Sequence, residues 1–296
     1  MAQQRSGAGS GVWSGVWFIT GCSTGFGREL SKMLLDRGYK VVVTARDSQK
    51  IQDLVAGHEG RALALKLDVT NPAEVEQAAK KAEATFGSID VLINNAGYGY
   101  LSATEEGEDA EVRAMFEANF FGLARMTQAV LPGMRKRRHG AIVNVSSIGG
   151  FVGFPGVSYY NATKFAVEGL SEALSKEVEP LGIKVIIVEP GPFRTDWAGR
   201  SLKVPAKAIA DYTDTAGVRR QNISGGSGKQ AGDPVRACEA IIKAVESEKP
   251  PLRLLLGKMA LVTARTKLDQ VRGDIEAWKD VSLGADYPEF QTTTAR

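Results

Sequence analysis

Short apolar runs alternate along this chain with longer segments of helical periodicity. The runs at 16–19, 40–44, 62–67, 91–93, 141–145, 183–188 and 252–256 are three to six residues long and rich in Val, Ile and Leu. Runs of that length between polar breaks predict strands buried on both faces. Between them, apolar positions three and four residues apart predict helices over 28–37, 49–56, 72–86, 109–134, 158–179 and 234–247, with a last helix over 259–278. Pro72 falls in the first turn of its helix, where no backbone donor is needed. The stretch 191–233 is rich in Gly, Ser and Ala, carries no period and reads as a loop.

Strict alternation of strand and helix predicts an α/β fold, a doubly wound parallel sheet of Rossmann type with helices on both faces. A closed (β/α) barrel needs more units than this chain supplies. No Pro/Gly/Ser linker divides the sequence, so a single domain is expected over 14–296, with a substrate loop at about 191–233 and a helical extension at about 258–296. Residues 1–13, rich in Gly, Ser and Gln, read as a disordered tail without the apolar core of a secretory signal. No apolar run is long enough to span a bilayer, and a soluble, cytoplasmic protein without membrane partners is expected.

Composition narrows the function classes. Hydrophobic residues make up 43% of 296, enough for one large core. A net charge of +3 gives no reason to expect a nucleic-acid partner, and the basic run at 135–138 suits the C-terminal end of a helix. Cys22 and Cys238 are far apart, and His58 and His139 lie in loop-like stretches, so neither a disulfide framework nor a metal site is expected.

The chemistry gathers where strands end. Thr20-Gly21-Cys22-Ser23-Thr24-Gly25-Phe26-Gly27 lies between the first strand and the first helix. Glycines there let backbone approach a pyrophosphate, and the helix start offers it free N–H groups. Tyr160 and Lys164 stand four residues apart on one helical face, where a cation favours the phenolate and makes the phenol a candidate acid–base group. Tyr159 points about 100° away and reads as packing. Gly21, Gly25, Asp68, Asn94, Ser147, Gly191 and Thr195 all follow strand ends, which is the edge where such sheets bind ligands. Asp68 could equally cap a loop, and Asn94 could form a turn.

The Gly-x3-Gly-x-Gly spacing, Asp68 after the third strand, Asn94-Asn95-Ala96-Gly97, Asn119 in Asn119-Phe120-Phe121-Gly122, Ser147 thirteen residues before Tyr160, and Pro190-Gly191 with Thr195 follow in order. In these motifs, over roughly 14–200, the chain resembles the short-chain dehydrogenase/reductase family in its compact form. The resemblance implies hydride transfer between a nicotinamide cofactor and a ketone or secondary alcohol. Tyr160 would exchange a proton with the substrate oxygen, and Ser147 would hydrogen-bond the same oxygen. Lys164 would lower the phenol pKa and hold the nicotinamide ribose. Asn119 would kink its helix and hold a water linking Lys164 to solvent. Gly21, Ser23, Thr24, Gly25, Phe26, Gly27, Asp68, Val69, Asn95, Ala96, Gly97, Pro190, Gly191 and Thr195 would line the cofactor, together with Tyr160 and Lys164.

Cofactor choice is read at the end of the second strand. NAD-specific relatives place an acid there, whereas this chain has Ala45 followed by Arg46, which points to NADP(H) over NAD(H). A surface Arg46 paired with Asp47 is the plainer alternative. Relatives also associate through the helices at 109–134 and 158–179, so a homodimer or homotetramer is expected; Met115, Phe116, Leu123, Phe165, Val167 and Leu170 could serve core or interface. Tyr98, Tyr100, Phe151, Phe154, Phe193 and Trp197 lie in three loops at the ligand edge and fit a bulky, apolar small-molecule carbonyl or alcohol substrate. The competing class is a dinucleotide-binding regulator without catalysis, although all four catalytic positions are filled.

Overall fold

Seven of the apolar runs form one parallel sheet because both of their faces are covered. The computed structural model describes residues 15–199 and 202–290; the expected tail at 1–13 lies outside them. The strands are β1 (Val16–Ile19), β2 (Lys40–Ala45), β3 (Ala62–Lys66), β4 (Val91–Asn94), β5 (Gly99–Tyr100), β6 (Gly140–Val145), β7 (Ile183–Pro190), β8 (Leu202–Lys203) and β9 (Arg253–Leu256). The main sheet runs β3-β2-β1-β4-β6-β7-β9 with every pair parallel. The order reverses between β1 and β4, so a crevice opens there beyond the carboxyl ends of the strands.

The helices are α1 (Gly25–Asp36), α2 (Gln52–Val55), α3 (Pro72–Phe86), α4 (Asp109–Phe116), α5 (Gly122–Arg137), α6 (Ser158–Val178), α7 (Val218–Gly225), α8 (Pro234–Glu246), α9 (Lys258–Ala277) and α10 (Lys279–Leu283). Strand β1 shows how the layers divide. Trp17 and Ile19 point to a core with Leu30 and Leu34 of α1 and Ile241 of α8, while Val16 and Phe18 point to a core with Val75 of α3, Met126 of α5 and Leu174 of α6. That alternation is the two-residue period of a strand covered on both sides. A buried polar ladder crosses the second layer. Asn94 Nδ2 donates to Thr127 Oγ1 at 3.1 Å and to Asn144 Oδ1 at 2.9 Å, and Asn144 Nδ2 donates to Ser171 Oγ at 2.8 Å. Asn94 is therefore a sheet residue tying two helices to two strands, not a turn former.

The structure departs from the expected elements in three places. The first helix starts at Gly25 rather than 28, because the glycine turn itself supplies the helix start. The expected helix 109–134 is broken by a π-helical turn, Glu117–Phe121, and continues to Arg137 through Pro132. The loop 191–233 holds β8, which pairs with β5, and α7. The C-terminal helix α9 touches the body at its root, where Ala260 and Ala264 are buried, and every side chain described from Leu268 to Phe290 is exposed. Among the described residues no helix is long and apolar enough to cross a membrane, and no cluster of three or more His, Cys, Asp or Glu could hold a metal.

Candidate active site

The glycine turn is shaped by contacts that leave no room for side chains. Gly21 has φ +73°, and a Cβ there would stand 3.0 Å from the Ala96 backbone. At Gly27 a Cβ would lie 2.5 Å from Asn95 Nδ2. Asn95 braces the turn by donating from Nδ2 to the carbonyls of Thr20, at 2.9 Å, and Gly21, at 3.0 Å. Thr20 Oγ1 accepts from the N–H groups of Asn95 and Ala96, both at 2.9 Å. The sequence reading placed Thr20 at the head of the glycine motif but gave it no role.

Helix α1 starts without a cap. Thr24, at its N-cap, makes no side-chain cap bond, and the first turn holds no acid. By contrast, Asn71 caps α3 and Asp233 caps α8. The free N–H groups and the helix dipole make this start a fitting site for a pyrophosphate. Ser23 lies in this turn. The Phe26 ring packs edge-on to Phe193 at 5.3 Å, and a Cβ on Gly25 would meet Thr195 at 3.5 Å. Pro190 ends β7, and Gly191 N–H donates to the Leu256 carbonyl at 3.0 Å at the end of β9.

Asp68 and Val69 follow β3. The Asp68 carboxylate accepts from Thr70 N–H at 3.0 Å and Thr70 Oγ1 at 2.8 Å, so it closes its own loop while Val69 is buried. Arg46 is exposed at the end of β2. Asp47 does not pair with it: that carboxylate accepts from Gln49 N–H at 3.1 Å and faces Lys50 at 3.9 Å. Arg46 lies within electrostatic reach of Tyr98 and Lys203 on the same edge.

The four expected catalytic side chains converge between β4, β6 and α6. Asn119 occupies the π-helical turn, and its amide accepts from Tyr98 N–H at 3.0 Å and donates to the Tyr98 carbonyl at 2.9 Å and to Thr163 Oγ1 at 3.2 Å. A Cβ on Gly97 would meet Asn119 Oδ1 at 3.0 Å and Lys164 Nζ at 3.9 Å, so Gly97 lies against both groups. Lys164 Nζ is buried, donates to the Val145 carbonyl at 2.8 Å and lies 5.8 Å from the centre of the Tyr160 ring. Ser147 follows β6, accepts from Gly149 N–H at 3.0 Å and faces Tyr160 closely enough to favour its phenolate.

Burial, not the neighbouring cation, sets the charge states. Desolvation pushes the Tyr160 phenol up to about 12, opposed by the facing Ser147 hydroxyl. Desolvation lowers Lys164 to about 8, opposed by the charge of Glu168. The sequence argument that a lysine one turn away depresses the phenol is thus reversed in this state, because both groups are cut off from water.

The substrate side is covered by the 191–233 segment. The Trp197 ring lies 5.3 Å from the Tyr160 ring, and Tyr98, Phe154, Tyr159, Leu202 and Ile223 pack around the same apolar cluster. A buried ion pair holds the cover down. Glu106 binds both ends of the Arg220 guanidinium and accepts from Ala103 N–H at 2.8 Å and Ile209 N–H at 2.9 Å. The bond to Arg220 and those two N–H groups outweigh desolvation and hold the Glu106 carboxyl down at about 2. An open cleft of about 720 Å³ lies apart from the tyrosine, lined by Phe193, Arg194, Gly232, Pro234, Leu256 and Gly257 among others, and none of Ser147, Tyr160 or Lys164 borders it.

Comparison with known proteins places this geometry. Residues 15–204 match the family model for short chain dehydrogenase. The chain is 39% identical over 272 residues to an oxidoreductase of Botryotinia fuckeliana, BOA17, covering 91% of this chain and 98% of that one. It is 40% identical over 248 residues to 3-ketodihydrosphingosine reductase of Bacteroides thetaiotaomicron (83% and 89% covered), and 37% identical over 246 residues to human retinol dehydrogenase 8 (79% of each). A short-chain dehydrogenase structure from Streptomyces avermitilis superposes with a TM-score of 0.87 at 43% identity, covering 93% of this chain and all of that one. Structures at 27% identity were solved with NADP, for a Burkholderia cenocepacia short chain dehydrogenase (TM-score 0.70, 89% and 96% covered), and with NADH, for a Brucella melitensis 3-ketoacyl-(acyl-carrier-protein) reductase (TM-score 0.69, 82% and 96% covered). With the doubly wound sheet, the uncapped glycine turn and this extent of likeness, the chain belongs to the short-chain dehydrogenase/reductase family and is an NAD(P)-dependent oxidoreductase acting on CH–OH groups.

Proposed function

We propose that this enzyme uses NADP(H) to interconvert a bulky, largely apolar ketone and its secondary alcohol, with Tyr160 as the proton-transferring group. The meeting of Ser147, Tyr160, Lys164 and Asn119 beside the uncapped start of α1 carries this reading. The bound nicotinamide supplies or accepts the hydride. Tyr160, kept protonated by burial, gives its hydroxyl proton to the substrate oxygen in reduction and takes it back in oxidation. Ser147 donates to the same oxygen and fixes its position. Lys164 holds the nicotinamide ribose and, as an ammonium, stabilises the phenolate left behind. Asn119 orders the Tyr98 peptide and Thr163, on either side of the lysine.

The finer assignments rest on separate observations. For NADP(H), Ala45 leaves no carboxylate at the end of β2 to repel a 2′-phosphate, and Arg46 is exposed beside it with Asp47 engaged elsewhere. The aromatic and aliphatic cover over Tyr160 supports an apolar substrate, and two relatives are named for 3-ketodihydrosphingosine and retinol, both bulky and largely apolar. For self-association, the structure divides the candidate residues: Met115, Leu123 and Val167 are buried, whereas Phe165 is 46% exposed and Phe121 on the neighbouring element is 44% exposed. Exposed rings on these helices support a homodimer or homotetramer built there.

The test is a turnover screen with apolar ketones and alcohols and both cofactors, repeated with Tyr160→Phe. The variant is expected to lose ~10²–10⁴-fold in kcat while cofactor titration by fluorescence stays near wild type. Retention of more than about a tenth of the rate would rule out Tyr160 as the acid–base group.

A further inference from the structure

Directly behind the lysine lies a group of charges that the proposed chemistry does not use. Lys164, Glu168 and Glu172 follow one another at four-residue intervals along α6, one helical turn apart. Glu168 is 7% exposed and Glu189, at the end of β7, is wholly buried. The two carboxyl groups interact closely out of water, and none of their four oxygens, nor Ser146 Oγ beside them, has a hydrogen-bond partner. A single cation, Arg253 of β9, reaches all three acids. Its Nη2 lies 3.4 Å from Glu168 and 3.1 Å from Glu172, and its Nε lies 3.3 Å from Glu189. Gly150 packs against the same place, since a Cβ there would meet Ser146 Oγ at 2.5 Å and Glu168 Cγ at 3.1 Å.

Two carboxylates in contact and out of water do not both ionise. Arg253 offers one charge against the two buried carboxyls, the exposed Glu172 being paired also with Lys176 at 3.2 Å. Burial pushes both buried carboxyls up, and the charge of Glu168 pushes Glu189 further in the same direction. One proton is therefore held between the two, and the negative charge that remains includes Glu168, whose field reaches the lysine. Of the groups facing Lys164, which are Tyr160, Asn119, the Val145 carbonyl and Glu168, only Glu168 carries a negative charge that opposes the lysine's desolvation.

We propose that Glu168 and Glu189 form a proton-sharing carboxyl pair, clamped by Arg253, that acts as a positioning element behind the active site and keeps the buried Lys164 cationic. Through Arg253 the pair ties the end of β7 and β9 to α6. The role of Lys164 in it rests on the reading of the site given above. The existence of the pair does not, so its test has a readout independent of turnover.

The experiment compares the full-length wild type with Glu189→Gln and Glu168→Gln, each checked for folding by its thermal transition. Infrared titration follows the C=O band of a protonated carboxyl in deuterated buffer. The wild type is expected to show a buried protonated carboxyl at neutral pH, and Glu189→Gln to lack it. The pH profile of kcat/KM with a turned-over ketone is expected to move its alkaline limb down by ~1 pH unit in Glu168→Gln and by less in Glu189→Gln, the direction for a lysine that has lost its countercharge. Absence of the band from wild type, or its persistence in Glu189→Gln, overturns the pair. A folded Glu168→Gln enzyme whose limb coincides with wild type overturns the link to Lys164. Should Glu168→Gln not fold, cofactor titration against pH in Glu168→Asp takes its place: a limb like wild type's supports the link, since the charge is kept, and a shifted limb overturns it. Loss of the band in Glu189→Gln without measurable turnover in any form would sustain the pair and reject only the assigned reaction.

Discussion

Glu106→Gln should unlatch the cover over the catalytic tyrosine. Each oxygen of this buried carboxylate takes one guanidinium N–H and one peptide N–H: Oε2 from Arg220 and Ala103, Oε1 from Arg220 and Ile209. Glutamine keeps one acceptor and turns the other into an NH2 group that faces two donors. Two bonds are lost, one of them charge-assisted, and the guanidinium loses its counterion. Hydrogen bonds to charged groups contribute ~1.5–3 kcal/mol, and breaking a buried pair by removing one partner costs ~3–5 kcal/mol. The segment bearing Ile209 and Arg220 can lift into water, which relieves part of that cost, so ~3 kcal/mol is the expected loss of closure. That is a ~10²-fold shift toward the open form. Limited trypsin digestion, with cleavage at Arg219, Arg220 and Lys229 read by mass spectrometry, reports the open population when closing is fast. Cleavage should quicken by ~10–100-fold and KM for an apolar substrate should rise. Glu105→Gln is the control, since Glu105 accepts only an exposed bond from Tyr212 at 2.7 Å. A Glu106→Gln protein with an unchanged thermal transition and cleavage within about threefold of wild type would refute the latch.

Three further outcomes follow from the same geometry. Arg46→Ala should weaken NADP(H) by roughly 10-fold or more while leaving NAD(H) nearly unaffected, as a single charge-assisted pairing implies; equal effects on both cofactors in parallel titrations would remove Arg46 from the phosphate site. Phe165→Glu should lower the mass seen by light scattering at micromolar concentration, because it places a charge among exposed rings; an unchanged mass in a folded variant, or a monomeric wild type, counts against association through α5 and α6. Acid should open the cover before it unfolds the domain. The folded Glu106 carboxyl is held at about 2 against an ordinary value of 4.5, so its contribution to closure is complete above about 4.5 and is lost as pH falls toward 2. Tryptic sites are unusable there, so pepsin cleavage within 205–230 is the measure, and the Glu106→Gln protein should show no such pH dependence.

The sheet was legible because its strands are apolar on both faces, and β4, β6, β7 and β9 end at or beside glycine, asparagine or serine. Strand ends also placed Gly21, Ser147 and Gly191 on one edge without further help. Tyr160 and Lys164 were legible through helical spacing, and the same four-residue step would have reached Glu168, which was not followed. Arg253 could not be found that way, since nothing local in Arg253-Leu254-Leu255 signals a partner on α6. The break at Asn119 was implied by the family resemblance and not by the apolar period, which reads 109–134 as one helix; the π-helical turn supplies it. The upward push of burial on the Tyr160 phenol was not legible, because spacing reports neighbours and not access to water. The cover was unreadable for a similar reason, as the Glu106–Arg220 pair spans more than a hundred residues of sequence.

The polar ladder through Asn94, Thr127, Asn144 and Ser171 makes assembly of the sheet self-checking. Valines and isoleucines on neighbouring parallel strands tolerate a slipped pairing, since one apolar contact resembles the next. Amides do not, because a shift of β4 against β6, or an undocked α5 or α6, strands several donors and acceptors out of water at ~1–3 kcal/mol each. Near-miss arrangements are therefore disfavoured as a group rather than one contact at a time. A chain whose strands meet only after long intervening segments, and which folds slowly for that reason, gains a means of rejecting errors at the two strands that frame its active edge.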